Sequence, residues 1–174
     1  YEQTGGLHFP MTIGSIIYFC DRLENVSTAM QIVRPTLMTA VPRLYDLIYR
    51  RILTQVSQGS PLAKRLFNRA LILGQKRRKS LFEVLEDRFL DFLVRKKVKS
   101  RFGGNLQYFI SGGAALNPIV GHFFEALGVR ILQGYGQTEA GPVISVNRPG
   151  AQRVDTVGPP LPGVEVRLSE EGEL

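Results

Sequence analysis

The sequence predicts an α/β fold, a mainly parallel sheet flanked by helices, and three observations carry that prediction. Between Leu106 and Gln133 the chain reads as strand, helix, strand, with a glycine-bearing loop after each strand. Upstream, Thr36 to Val41 reads as a strand that Pro42 converts directly into a helix. Finally, 174 residues with 44% hydrophobic and 21% charged composition suffice for one globular core.

The elements follow in order. The opening residues form a Gly-bearing loop, and Ile16-Ile17-Tyr18-Phe19 has the β-branched and aromatic content of a short buried strand. Glu24 to Val33 reads as a helix stopped by Arg34-Pro35, because a residue before proline is pushed out of helical geometry. After the strand at 36–41, Leu44, Leu47, Ile48 and Ile52 recur at helical spacing. Beyond the break Ser57-Gln58-Gly59-Ser60-Pro61, helix extends to about Ser100, with Gly74 and Lys76-Arg77-Arg78-Lys79 marking a bend or loop. One apolar stripe runs through Leu62, Leu66, Ala70 and Leu73, and Leu81, Leu85, Phe89, Phe92 and Val98 continue on later turns.

Leu106 to Ile110 is then a strand, and Asn117-Pro118 starts a helix with asparagine as its cap. That helix should bury Ile119, Val120, Phe123, Phe124 and Leu127 and end at Gly128. Val129 to Gln133 is the next strand, followed by a loop over Gly134-Tyr135-Gly136-Gln137-Thr138-Glu139. The expected organisation is one unit with three stretches, 1–60, 61–101 and 102–174.

Charge and cysteine content narrow the function classes. With Cys20 alone there is no internal disulfide and no cysteine-based zinc site, which favours a reducing, cytoplasmic setting. The longest apolar stretches fall short of the roughly 18 residues a membrane span needs. His8 and His122 lack partners at metal-ligand spacing and read as surface or structural histidines. The net charge of +7 is local: Leu62 to Arg101 holds 13 Lys and Arg against 4 Asp and Glu. Such a stretch is most often the solvated face of amphipathic helices. Its sharper reading, beside Phe and Leu residues that look exposed, is a peripheral contact with an anionic membrane surface. A basic nucleic-acid-binding module ranks lower, since no DNA- or RNA-reading motif is present and the charge lies away from the glycine loops.

If the strands before the two glycine loops are parallel, both loops emerge at one end of the sheet, where open α/β sheets bind ligands. Gly112 and Gly113 then let a flat ring approach the backbone, and Gly134 and Gly136 let the second loop turn beside it. Tyr135 can stack on a base, Thr138 can donate to a phosphate, and Glu139 can neutralise an accompanying magnesium. The chain has no GxxxxGK[ST], and a carboxylate replaces the third glycine of a dinucleotide fingerprint. Singly, Gly112-Gly113 would read as a turn, Tyr135 as a half-buried aromatic and Glu139 as a surface charge; their order together reverses that preference.

The run Gln133 to Glu139 resembles the [Y/Q]GYGxTE motif of the adenylate-forming enzymes, and Ser111-Gly112-Gly113-Ala114-Ala115-Leu116 resembles their SGGAxL loop. The continuation Ala140 to Asn147, the run Val157 to Gly163 and the closing Gly172-Glu173-Leu174 are similar to the segments that follow in that family. Arg34-Pro35-Thr36 to Tyr45 and the opening Tyr1-Glu2-Gln3-Thr4 resemble its long-chain fatty acyl-CoA synthetase branch. The resemblance spans the chain, is specific only at those motifs and is loose through the basic helices.

The resemblance implies an internal fragment of the large N-terminal adenylation domain, inactive alone, with the phosphate loop upstream and the C-terminal domain downstream. It implies that Gly112, Gly113 and Ala114 line the adenine, that Tyr135 stacks on it, and that Gln133, Gly134 and Gly136 belong to the same nucleotide-binding set. Thr138 would bind the α-phosphate and Glu139 would hold Mg2+. The implied substrates are a fatty acid, ATP and coenzyme A. An acyl-AMP ligase or adenylation domain that loads a carrier-protein thiol is the alternative within the same chemistry.

Overall fold

A computed structural model describes residues 2–76 and 78–173. Four strands lie in the order β1 (Leu37–Ala40), β2 (Tyr108–Ser111), β3 (Arg130–Tyr135) and β4 (Ser145–Val146). β1, β2 and β3 are parallel, with Ala40 opposite Ser111 and Ser111 opposite Gln133, while β4 pairs antiparallel to β3. The helices before the first crossover are α1 (Phe9–Thr12), α2 (Val26–Val33), α3 (Pro42–Ser57) and α4 (Pro61–Gln75). After them come α5 (Leu81–Leu90), α6 (Lys96–Ser100) and α7 (Pro118–Ala126), and a π-helical turn at Asp91–Arg95 joins α5 to α6.

Proline sets where the helices start. Pro42, Pro61 and Pro118 occupy first-turn positions, where their missing N–H costs nothing. The Ser60 hydroxyl accepts from Ala63 N, the Asn117 carboxamide oxygen accepts from Ile119 N, and Ser80 and Glu83 form a reciprocal cap on α5. Helix α2 ends on Arg34 in the left-handed region, φ 50°, directly before Pro35.

On the sheet face that carries Phe109, α3 and α7 close over an aromatic core. Tyr45, Phe109 and Phe124 are fully buried, and the Tyr45 and Phe109 rings meet edge-on at 5.1 Å. The Tyr45 hydroxyl donates to the Ile110 carbonyl at 2.7 Å, satisfying the one polar atom this core contains on that ring. Helix α4 packs outside α7, where a Cβ on Gly74 would lie 2.3 Å from the Ala126 carbonyl oxygen. Gly74 therefore marks a close helix approach within α4 rather than a bend; the chain breaks one residue later, after Gln75.

Several expectations are corrected. Residues 16–19 form no strand: Ile16 is 99% exposed, and the segment has no ladder partner among the described residues. The opening segment is helical rather than a loop, π-helical over Gln3–His8 and α-helical over Phe9–Thr12, and the Glu2 carboxylate accepts from the Thr39 hydroxyl at 2.7 Å. Ile119 and Leu62 point outward.

Helix α5 turns its apolar side chains outward. Leu81, Leu85, Phe89 and Phe92 are exposed, while Glu83, Glu86 and Asp87 face α4. Arg69 meets Glu86 with two bonds at 2.8 and 2.7 Å, Lys76 meets Glu83 at 2.6 Å, and Lys79 meets Asp87 at 2.5 Å. Arg95, 5% exposed, bonds Asp87 and also the carbonyls of Ala70 and Ala126, so one guanidinium ties α4, α5 and α7 together. Periodicity finds an apolar stripe but not its direction, and here ion pairs decide the direction.

Candidate adenylate site

Because β1, β2 and β3 are parallel and in register, their carboxyl ends share one edge. Adjacent strands lie about 4.8 Å apart, so the loop after Ser111 and the end of β3 are neighbours. Gly112 is buried, and Gly113, with φ +83°, turns the chain outward so that Ala114 and Ala115 are exposed. The third wall is one that sequence reading missed. Val41, at the end of β1, places its Cγ1 3.9 Å from where a Cβ on Gly113 would be, and it is half exposed. Only the strand-to-proline junction at Val41-Pro42 hinted at it.

Gly134 and Tyr135 belong to strand β3, not to the loop expected there. Pairing with β4 extends the strand: Gly134 opposes Val146, Tyr135 opposes Ser145, and Ile144 N donates to Tyr135 O at 2.9 Å. The loop begins at Gly136, where a Cβ would fall 1.8 Å from the Pro142 carbonyl oxygen. No side chain fits there. Thr138 and Glu139 then sit exposed on a 3₁₀ turn, Thr138–Ala140. The Tyr135 ring is half-buried, and its hydroxyl accepts from Gln137 Nε2 at 2.9 Å, which fixes the ring at the edge of the cleft.

Gln133 is tied inside the protein through its amide nitrogen. It is buried, and its amide donates to the Val154 carbonyl at 2.5 Å and more weakly to Thr156. The amide nitrogen is therefore engaged inside the protein and supports the site from beneath. Asn147, also buried, donates to Thr156 O at 2.6 Å and accepts from Arg153 N at 3.1 Å, while Ser145 donates to Val157 O. Together these three side chains strap the 153–157 loop beneath the end of β3. Ser145 and Asn147 were not singled out in the sequence, where nothing separates a strapping amide from a solvated one.

Ser111, 1% exposed, has an Oγ with no hydrogen-bond partner among the described residues, directly before the glycine pair. Two residues after Phe109 in β2, it lies on the helix-covered face of the sheet, where an unpaired hydroxyl is costly. Exposed glycine backbone after β2 and a half-buried tyrosine at the end of β3 are groups that suit a planar ring. No group of three or more His, Cys, Asp or Glu able to hold a metal occurs among the described residues. Glu139 alone offers one carboxylate, a donor set that fits an ion whose other ligands are phosphate oxygens and water.

The AMP-binding enzyme family profile matches residues 1–174. The chain is 37% identical over 143 residues to peroxisomal long chain acyl-CoA synthetase 6 of Arabidopsis thaliana, covering 82% of this chain and 20% of that protein. It is 27% identical over 175 residues to the long-chain-fatty-acid–CoA ligase FadD15 of Mycobacterium bovis, covering 96% of this chain and 28% of that one. Its fold is similar to that of the anthranilate CoA ligase AuaEII in complex with anthranoyl-AMP, with TM-score 0.61, 22% identity and coverage of 99% of this chain and 26% of that one. A benzoate CoA ligase from Burkholderia xenovorans is similar at TM-score 0.59 and 24% identity, over 99% of this chain and 27% of that one. The chain thus spans between a fifth and three tenths of the length of these relatives. Profile, relatives and parallel sheet agree, and the chain belongs to the AMP-binding enzyme family.

Proposed function

We propose that residues 1–174 are part of an ATP-dependent fatty acid–CoA ligase and form its adenine- and phosphate-binding edge. The observation that supports this reading is the register of β2 and β3, in which Ser111 lies opposite Gln133, so that the segments after them, with Gly112-Gly113 and Gly134-Tyr135, leave from one edge of the sheet. The adenine lies along the backbone of Gly112, Gly113 and Ala114, with Tyr135 stacked on it and Gly134 and Gly136 leaving room at the second wall. The Thr138 hydroxyl donates to an α-phosphate oxygen. Glu139 is the residue that would hold magnesium, which when bound supplies positive charge on the phosphates.

The reaction is attack of a fatty carboxylate oxygen on the α-phosphorus, with the bond to the β-phosphate bridging oxygen breaking and pyrophosphate leaving. The thiol of coenzyme A then attacks the acyl carbon and AMP departs. What these residues contribute is positioning and complementary charge, which carry most of a phosphorus-centred displacement. The relatives' names, long chain acyl-CoA synthetase and long-chain-fatty-acid–CoA ligase, support the fatty acid as substrate. Residues 1–174 alone are expected not to turn over.

The test is ATP–pyrophosphate exchange by the whole protein across a ladder of fatty acids. Exchange that requires long-chain acids, and that falls about a hundredfold or more in Glu139→Ala, is the expected result. Exchange with no carboxylate would overturn the reading. Product assays with coenzyme A against a carrier-protein thiol then identify the acceptor.

A further inference from the structure

The segment that closes β3 carries two polar side chains on one face. Tyr135 ends the strand, and Gln137 is likewise extended, with φ −134° and ψ 149°; residues two apart in extended chain point the same way. The Gln137 carboxamide nitrogen donates to the Tyr135 hydroxyl at 2.9 Å. Main-chain bonds hold the frame beneath this pair: Ile144 N donates to Tyr135 O at 2.9 Å and Ala140 N donates to Gln137 O at 3.0 Å. Between them the Pro142 carbonyl oxygen closes on Gly136, leaving no room for a side chain. None of these backbone contacts uses the Gln137 side chain, which is exposed and bonds only the tyrosine hydroxyl among the described residues. Replacing that side chain therefore tests the phenol's position and leaves the frame intact.

We infer that Gln137 is a positioning residue for the nucleotide, setting the Tyr135 ring in place before ATP arrives. The inference deepens the adenylate reading and rests on it. The ring is half-buried, so packing leaves it freedom that the bond to the amide removes. A ring ordered in advance gives up less conformational freedom when the base stacks on it, and that saving appears as affinity. Such ordering favours bound ATP and the transition state alike. Its loss therefore raises the KM for ATP and leaves kcat in place.

The test is ATP–pyrophosphate exchange by the whole protein, with the KM for ATP, the KM for the fatty acid and kcat measured for Gln137→Met, Tyr135→Phe and the double variant. Methionine keeps the length of the side chain and removes the donor, while phenylalanine keeps the ring and removes the acceptor. Gln137→Met should raise the KM for ATP about threefold to tenfold, with kcat, the KM for the fatty acid and the melting temperature unchanged. Tyr135→Phe should raise the KM for ATP by a similar factor, and the double variant should be no worse than either, because both changes remove the same bond. Additive losses in the double variant, or a fall in kcat at an unchanged KM for ATP, overturn the assignment. Tyr135→Ala separates this inference from the reading it rests on. A KM for ATP raised there and unchanged in Gln137→Met overturns the positioning role alone, whereas a value unchanged in both overturns the adenylate reading as well.

Discussion

Close backbone contacts make single glycines decisive. At Gly136 the obstacle to a side chain is the Pro142 carbonyl oxygen, 1.8 Å from the would-be Cβ, and at Gly158 it is the Val146 backbone at 2.2 Å, with φ +80° in addition. Gly141 has φ +79° and nothing within 4 Å, so alanine there meets only backbone strain. Gly136→Ala and Gly158→Ala should each cost at least about 3 kcal/mol, and Gly141→Ala about 1 kcal/mol, in denaturant unfolding. Equal losses at all three positions would show that contact does not govern these sites. The sequence displayed Gly136 and Gly158 in family-like runs, yet the partners Pro142 and Val146 emerge only when β4 folds back on β3. Gln133 shows the same limit. Its place in the motif was legible, but the direction of its side chain depends on carbonyls at Val154 and Thr156, about twenty residues away.

Among the elements, the strand–helix–strand unit was the most legible part of the chain. Asn117-Pro118 and the apolar spacing of Val120, Phe123 and Phe124 are local signals, and local signals fix α7. Helix α5 was legible as a helix, but what fixes its orientation was not, because that is non-local charge. The bond from Lys76, then the Ser80 backbone N–H, hold the Glu83 carboxyl down at about 2, from an ordinary 4.5. For Asp87, burial pushes the pKa up, but bonds from Lys79 and Arg95 outweigh it and leave the group below its usual range. A depressed folded pKa means that the stabilisation is complete above the unfolded value and is lost as pH falls through the folded one. Glu83 should therefore contribute fully above pH 4.5 and progressively less toward about pH 2. Melting temperature followed through this window should fall on acidification, and Glu83→Gln should flatten that part of the profile. A profile unchanged by Glu83→Gln would contradict the assigned pairing.

For the whole molecule, the parallel sheet makes a site out of residues far apart in sequence. Val41, Gly113 and Tyr135 come from three different strand ends, and only shared direction and register bring them to one edge. That convergence was half legible: two of the walls carried glycine motifs, and the third, Val41, carried none. The +7 charge likewise resolves into two kinds of cation, those clamping α5 onto α4 and those left beside its exposed ridge. The measurement that tests the central claim most directly is hydrogen exchange of the whole protein with and without a non-hydrolysable fatty acyl-adenylate analogue. Slowed exchange at 112–114 and 135–139, with 81–96 unaffected, is the result predicted for an adenylate held at the ends of β2 and β3. Slowed exchange elsewhere with those two segments unchanged would contradict it.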